Sequence, residues 1–227
     1  MTNRPESPTS VVLCDDHRIL TQGLTAILDE EPDISVVAVA ATVAELVDMV
    51  NRHRPEVVLV DYQLPDGDGV TATRTLKQTH PTLQVVMLTA YGDEKVLLAA
   101  IEAGCSGFVT KQSAAIAIAG AIRQAAAGDA VINTATLHQL LPYLKPTSRG
   151  LGTDLTAREL EVLELLADGA SGRVIAQRLY LSFNTVRNHA QSVLDKLGVH
   201  SRLEAVAVAL QEGIIERSRS STPTGRA

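Results

Sequence analysis

A chain of 227 residues has room for one large or two small domains, and with 45% apolar but only 3% aromatic residues its core must be built from Ala, Val, Leu and Ile. No apolar run approaches the roughly 20 residues that span a bilayer, and the opening MTNRPESPTS lacks the apolar stretch of a secretory signal, so a cytoplasmic chain without a membrane partner is expected. The net charge of −6 speaks against nucleic acid for the chain as a whole, but it is unevenly divided: residues 1–154 carry −7 (11 basic, 18 acidic) and residues 155–227 carry +1 (9 basic, 8 acidic),.

In chain order, short β-branched runs alternate with amphipathic stretches, the pattern of βα units around a parallel sheet. Strands are predicted at Val11 to Cys14, Val36 to Ala40, Val57 to Val60, Gln84 to Leu88 and Gly107 to Val109. They are nearly all apolar, as strands covered on both faces must be. Helices are predicted at Ile19 to Asp29, Val43 to Arg52, Val70 to His80, Glu94 to Ala103 and Ala114 to Ala127, with Gly128 as a C-terminal stop,. Pro65 to Gly69 reads as a tight loop, with no calcium function for its acids,. A helical patch at Thr134 to Leu144 precedes KPTSRGLGTD, a Pro, Ser and Gly-rich linker,. After it only helical spacing remains, through Leu160, Leu163 and Leu166, then Ile175 and Leu179, then Val186, Val193 and Leu197, then Val206 and Leu210. The expected layout is a flexible N-terminus (1–9), an α/β domain (10–130), a linker with a short helix (131–153), an all-α domain (154–216) and a disordered tail (217–227). Cys14 and Cys105 lack metal-ligand spacing and read as small packing residues in a reducing compartment,.

Ligands of an open parallel sheet bind beyond the carboxyl ends of its strands, where loops converge. Asp15 and Asp16 follow VVLC, Asp61 follows VVLV, Thr89 ends the run after VVML and Lys111 follows GFVT. Any one of these acids is most simply a turn former or a helix cap. As a set they match one chemistry. Three crowded carboxylates call for a divalent cation, and a hard oxygen site with open positions suits Mg2+. Asp61 is then placed to attack a phosphoryl group and form an acyl phosphate, Lys111 to pair with its oxygens, and Thr89 to turn its hydroxyl toward the new group.

Over roughly residues 10 to 130 the chain resembles the receiver domain of two-component response regulators, through LCDDH, LVDYQLPDGDG, MLTA and GFVTK. The resemblance implies a flavodoxin-like, doubly wound five-stranded parallel sheet with Asp61 as phosphoacceptor. It implies Asp15 and Asp16 as the acidic pair, with Asp16 and Asp61 directly on Mg2+ and the backbone carbonyl of Gln63 completing the protein ligands. Thr89 and Phe108 would form the switch pair. A haloacid-dehalogenase-like phosphatase also uses a strand-end Asp and Mg2+, but it carries a second Asp two residues on as general acid, where this chain has Gln63.

In the C-terminal part, the face formed by Ile175, Ala176 and Leu179, the short turn Tyr180 to Ser182, and the stripe Val186, Val193 and Leu197 describe two helices held by a sharp turn, a helix-turn-helix,. Between residues 172 and 202, Arg173, Arg178, Arg187, Lys196 and Arg202 face only Asp195. Ser182 is a good N-cap, and the helix after it presents Asn184, Arg187, Asn188 and Gln191 on its polar side, residue types that pair with guanine and adenine in a major groove,. From Arg202 to Glu212 two apolar stripes run in parallel, Val206 with Ala209 and Leu203 with Ala207 and Leu210; one buries in the domain and the other needs a partner.

From about Leu155 to Ile215 this part resembles the LuxR-type helix-turn-helix of the NarL/FixJ subfamily, through LTARELEVLELLADG, IAQRL, TVRNH and KLGVHSRLEAVA. The resemblance implies an all-α four-helix domain bound to double-stranded promoter DNA, with Arg187, Asn188 and Gln191 in the groove and Ser182, Thr185, Arg178, Lys196 and Arg202 as backbone-contact or supporting residues. It implies a two-fold dimer through Leu203, Ala207 and Leu210, formed on phosphorylation or on DNA. Phe183, Gly172 and Val174 stand where the family carries polar residues. The whole pattern is that of a non-enzymatic transcriptional regulator phosphorylated by a sensor histidine kinase. The alternative is a DNA-binding regulator that ignores phosphorylation and uses its receiver only to dimerise.

Overall fold

A computed structural model describes residues 7–89, 94–111, 113, 115–132, 140 and 152–215. The N-terminal part is a five-stranded, all-parallel sheet in the order β2-β1-β3-β6-β7, from β1 (Thr9–Cys14), β2 (Ile34–Ala40), β3 (Val57–Asp61), β6 (Gln84–Thr89) and β7 (Gly107–Thr110). A two-residue hairpin, β4 (Gln63–Leu64) with β5 (Gly67–Asp68), occupies the predicted tight loop. Its acids are caps: Asp68 accepts the Thr71 N–H at the start of α3 (Gly69–Thr79), and Asp66 accepts the Val43 and Ala44 N–H groups at the start of α2 (Val43–His53).

Alternation along the strands divides the core, because successive side chains point to opposite faces. Val11, Leu13, Leu59 and Val86 meet Leu24 and Leu28 of α1 (Arg18–Leu28) and Ile118 and Ile122 of α5 (Ala115–Ala126). Val12, Cys14, Val58, Val60 and Val85 meet Leu46 and Val50 of α2 and Ala72 and Leu76 of α3. β3, sandwiched between β1 and β6, is buried from end to end, which fixes the position of Asp61. α4 (Glu94–Glu102) packs beside α3. Cys14 and Cys105 are buried, and burial pushes their thiols up to about 12 and about 11, as packing residues require.

The C-terminal part has four helices among the described residues: α6 (Ala157–Ala167), α7 (Gly172–Arg178), α8 (Phe183–Leu197) and α9 (Arg202–Gln211). Each starts on a hydroxyl cap, from Thr156, Ser171, Ser182 and Ser201, and each cap satisfies an N–H that the first turn would leave open,. The predicted stripes form the core: Leu163 and Leu166, Ile175, Val186, Val193 and Leu197, and Val206.

β1 begins at Thr9, two residues before the predicted Val11. The patch Thr134 to Leu144 and the linker before Gly152 lie outside the described residues except for Leu140, which is buried; so does the tail beyond Ile215. Residues after α5 also do more than link: Val131 bridges to Gly107 on the outer side of β7, donating to the Ser106 carbonyl (2.9 Å) and accepting from the Phe108 N–H (2.8 Å).

The two parts pack on each other. Leu97 and Ile101 of α4 share one apolar cluster with Leu203 and Ala207 of α9. Lys77 of α3, almost fully buried, donates to the His200 carbonyl at 3.1 Å. Arg202 pairs with Asp129 at 2.8 Å.

Candidate functional site

The acidic edge assembles as the strand ends predict. Asp15 follows β1, Asp61 ends β3, and ligand atoms of Asp15, Asp16, His17 and Asp61 all lie within 4.8 Å of one another. Lys111 reaches in from the end of β7, its Nζ 2.7 Å from Asp15 Oδ2 and 2.7 Å from Asp61 Oδ2. Its position is set by the backbone, since the Lys111 N–H donates to the Thr89 carbonyl across the β6–β7 ladder. Thr89, at the end of β6, is buried beside this edge. Gly69 is required here by close approach: a Cβ would stand 2.5 Å from the Asp61 carbonyl oxygen, so any side chain would drive α3 away from the end of β3,.

The charges are interlocked. Burial pushes the Asp61 carboxyl above its ordinary range, against the pull of the Lys111 bond,. Burial alone would lower Lys111, yet the carboxylates of Asp61 and Asp15 beside it leave it raised. Asp15 Oδ2 is buried, and although Lys111 sits 2.7 Å away, no N–H is aligned on that oxygen. An ion pair without an aligned hydrogen bond leaves lone-pair capacity inside the pocket.

Two findings were not read from the sequence. The acidic pair does not cap α1: the N-cap is His17, which makes no side-chain cap bond, because its ring Nδ1 lies 2.8 Å from both Asp15 and Asp16. The bond to Asp15 raises the exposed imidazole above its ordinary value. Phe108 is half-buried and packs both on the group formed by Val70, Met87, Ala100, Ala103 and Cys105 and on the cluster shared by α4 and α9. Gln63, at the start of β4, is exposed two residues beyond Asp61.

The second site is α8. Ser182 caps it, accepting from the Thr185 N–H (3.0 Å), and the two hydroxyls also bond each other (2.8 Å). Arg187, Asn188 and Gln191 are exposed, with Gln191 donating to Asp195. Lys196 stands apart from them. Its ammonium is held by Glu159 (2.7 Å) and the Asp154 carbonyl (3.0 Å), fastening α8 to the capping box of α6, and this bond holds the Glu159 carboxyl down to about 2. Lys196, expected as a backbone-contact or supporting residue, is thus engaged within the helical domain itself. Arg202 is likewise committed to Asp129.

Arg187 and Gln191 line a cleft of about 740 Å³ whose opposite wall is the α/β domain, at Arg54 to Glu56, Thr79 to Gln84 and Ala126 to Gly128. A duplex whose major groove alone is about 12 Å wide and 8.5 Å deep does not fit such a space. The expected dimer stripe is also covered: Leu203 and Ala207 are fully buried and Leu210 partly so, and the partner of this stripe in the present arrangement is α4 of the same chain. No helix among the described residues is long and apolar enough to cross a membrane.

Residues 11–123 match the family described as response regulator receiver domain, and residues 153–209 match bacterial regulatory proteins of the luxR family. The chain is 34% identical to the DNA-binding transcriptional activator DevR/DosR of Mycobacterium tuberculosis, over 92% of this chain and 96% of that protein. Among solved structures it is similar to the response regulator ChrA of a heme-sensing two-component system (34% identity, TM-score 0.50, covering 92% of this chain and 100% of that one). RcsB of Salmonella enterica serovar Typhimurium, bound to promoter rprA with the phosphomimetic BeF3−, is 25% identical with a TM-score of 0.52, covering 89% of this chain and 98% of that one.

Proposed function

This chain belongs to the NarL/FixJ-type response regulators, the two-component transcriptional regulators that join a receiver to a LuxR-type helix-turn-helix, and we propose on that premise that Asp61 is its phosphoacceptor and the switch that governs its DNA binding. The family is one of DNA-binding regulators rather than enzymes. The observation that carries the reading is the single ammonium of Lys111 held 2.7 Å from both Asp15 and Asp61.

In the proposed reaction an Asp61 Oδ attacks the phosphorus of a kinase phosphohistidine. The O–P bond forms, the N–P bond breaks, and the imidazole leaves and regains its proton from water. Lys111 then follows the charge from carboxylate to phosphoryl oxygen, and the Thr89 hydroxyl turns toward the new group. The donor set of Asp15, Asp16 and Asp61 fits Mg2+, a hard cation that takes oxygen ligands, and the buried Asp15 Oδ2 without an aligned donor supports that fit. Asp16, Asp61 and the Gln63 carbonyl would hold the ion directly; when bound it would offset the charge of the carboxylates and of the incoming phosphoryl oxygens. Ile19 and Ile116, 89% and 81% exposed in the first turns of α1 and α5, support docking of the sensor kinase over this pocket.

Ser182, Thr185, Arg187, Asn188 and Gln191 are the proposed DNA contacts, in the cytoplasm where promoter DNA is found. With α8 facing the receiver and the Leu203 and Ala207 stripe covered, the arrangement described is the resting one. Phosphorylation favours separation of the domains, after which α9 pairs with a second copy; near-complete switching requires a differential of about 5.5 kcal/mol between the two states. Acetyl phosphate with Mg2+ is expected to label the wild type and raise its affinity for promoter DNA, and to do neither with Asp61→Asn. Equal DNA binding by the two proteins after that treatment would favour the phosphorylation-independent reading instead.

A further inference from the structure

The segment after α5, Asp129 to Ile132, joins the switch region to the helix-turn-helix at both of its ends. At one end Val131 lies along β7, exchanging hydrogen bonds with Ser106 and Phe108. Residue 107 has to be glycine for this, because a Cβ there would stand 2.3 Å from the Val131 Cβ and 2.4 Å from its carbonyl oxygen. The residue gripped by Val131 is thus Phe108, whose ring packs on α4 and on the cluster shared with α9.

At the other end a single oxygen, Asp129 Oδ1, accepts from the Gly172 N–H at the start of α7 (2.9 Å) and from Arg202 at the start of α9 (2.8 Å). Both charged side chains are largely withdrawn from water, at 14% and 8% exposure, and a buried carboxylate and guanidinium are stable there only while they hold each other,. The helical domain is shaped to receive this carboxylate. A Cβ at residue 172 would meet the Phe183 ring at 2.9 Å and approach Asp129 and Arg202 at 3.5 and 3.6 Å. Two of the three departures from the family pattern, Gly172 and Phe183, therefore form one device: the ring fills the space that the missing side chain leaves, beside the docked Asp129.

We propose that Asp129 to Ile132 is the element that carries the state of the phosphoacceptor pocket to the DNA-binding domain, with Asp129 as the clasp that holds α7 and α9 against the receiver. The inference rests on the reading that Thr89 and Phe108 respond to phosphorylation at Asp61. When Phe108 moves, the backbone of Val131 moves with it, and the carboxylate two residues earlier loses its grip on Gly172 and Arg202. Asp129 is a positioning residue and touches neither phosphate nor DNA.

Two measurements on the full chain test this. In the wild type, acetyl phosphate with Mg2+ is expected to raise hydrogen exchange in the peptide covering residues 128–132 together with affinity for a labelled mixed-sequence duplex, and neither change is expected in Asp61→Asn. Unphosphorylated Asp129→Ala is expected to bind that duplex about tenfold more tightly than unphosphorylated wild type, and the double variant Asp61→Asn with Asp129→Ala to keep the gain. If acetyl phosphate raises the affinity while residues 128–132 keep their protection, the coupling element is overturned and the phosphorylation switch survives. If acetyl phosphate changes neither quantity in the wild type, both readings fall. If Asp129→Ala folds, binds the duplex like unphosphorylated wild type and responds fully to acetyl phosphate, the clasp is overturned. Should that variant not fold, the exchange experiment on the wild type decides alone.

Discussion

The acidic pocket at the strand ends and the exposed face of α8 are both polar sites on apolar scaffolds, yet they are held in opposite ways. In the pocket Asp15, Asp61 and Lys111 share their charges at 2.7 Å inside a buried sheet edge, and Gly69 leaves no space for adjustment. On α8 the helix is fixed by Val186, Val193 and Leu197 below and by its Ser182 cap, while Arg187, Asn188 and Gln191 stand in solvent. A buried set that shares its charges fails as a unit, whereas an exposed face changes one contact at a time.

The largest expected effect tests the first half of that contrast. Lys111→Met leaves two carboxylates facing each other without a cation, and in metal-free buffer it is expected to destabilise the chain by about 3 kcal/mol. Added Mg2+ should recover part of the loss, since a divalent ion takes over the charge balance; thermal melts with and without Mg2+ measure both quantities. Recovery by an equal concentration of K+ would argue against a divalent site.

A smaller pair of effects tests the second half. Arg187→Ala is expected to cost DNA binding about 1–3 kcal/mol with an unchanged melting temperature, because the side chain supports nothing in the fold. Lys196→Ala is expected to do the reverse, losing about 1 kcal/mol of stability through its bond to Glu159 while binding DNA nearly as wild type. Anisotropy titrations and melts on the two proteins separate a reading residue from a packing one.

The smallest effect sits where the two regions meet. Burial raises the Glu204 carboxyl, on α9, to about 7 and lowers the Lys77 ammonium, on α3, to about 8, while the Lys77 charge pulls Glu204 down and that of Glu102 pushes it up. Ionised Glu204 is a cost to the packed form above pH 7, and the cost fades as pH falls toward 4.5, because the buried carboxyl takes up its proton first. Buried Lys77 has the opposite sign, its cost fading as pH rises above 8. From about pH 7.5 to about pH 5.5 the wild type is therefore expected to gain roughly 2–4 °C in melting temperature relative to Glu204→Gln, which has no such titration.

Much of the pocket was legible because its residues follow apolar strands, and a buried parallel strand announces its end by the first charged residue after it. Asp15, Asp61, Thr89 and Lys111 were all read this way. His17 was not, since a histidine after two acids has no strand or helix period to mark it. The two apolar stripes of α9 were read correctly as one more than the helical domain could cover. In this arrangement α4 of the same chain covers one of them, because an apolar stripe records that it must be covered and not by what. Lys196 was read through the resemblance as a backbone-contact or supporting residue, and the carboxylate that holds it lies 37 residues earlier, beyond the reach of any local period.

The sequence by itself determined most of the elements, the alternation that sets the sheet faces, the Ser182 cap and the two classes of site, since these follow from spacing within a few residues: period 2, period 3.6 and the residue at each strand or helix end. Only the tertiary structure decided which charges meet. Asp129 with Arg202, 73 residues apart, and Lys77 with the carbonyl of His200, 123 apart, obey no local period. Such pairs exist because burial between two packed surfaces makes a charge or an N–H costly unless a partner stands opposite it, and which partner stands there is settled by how the surfaces dock.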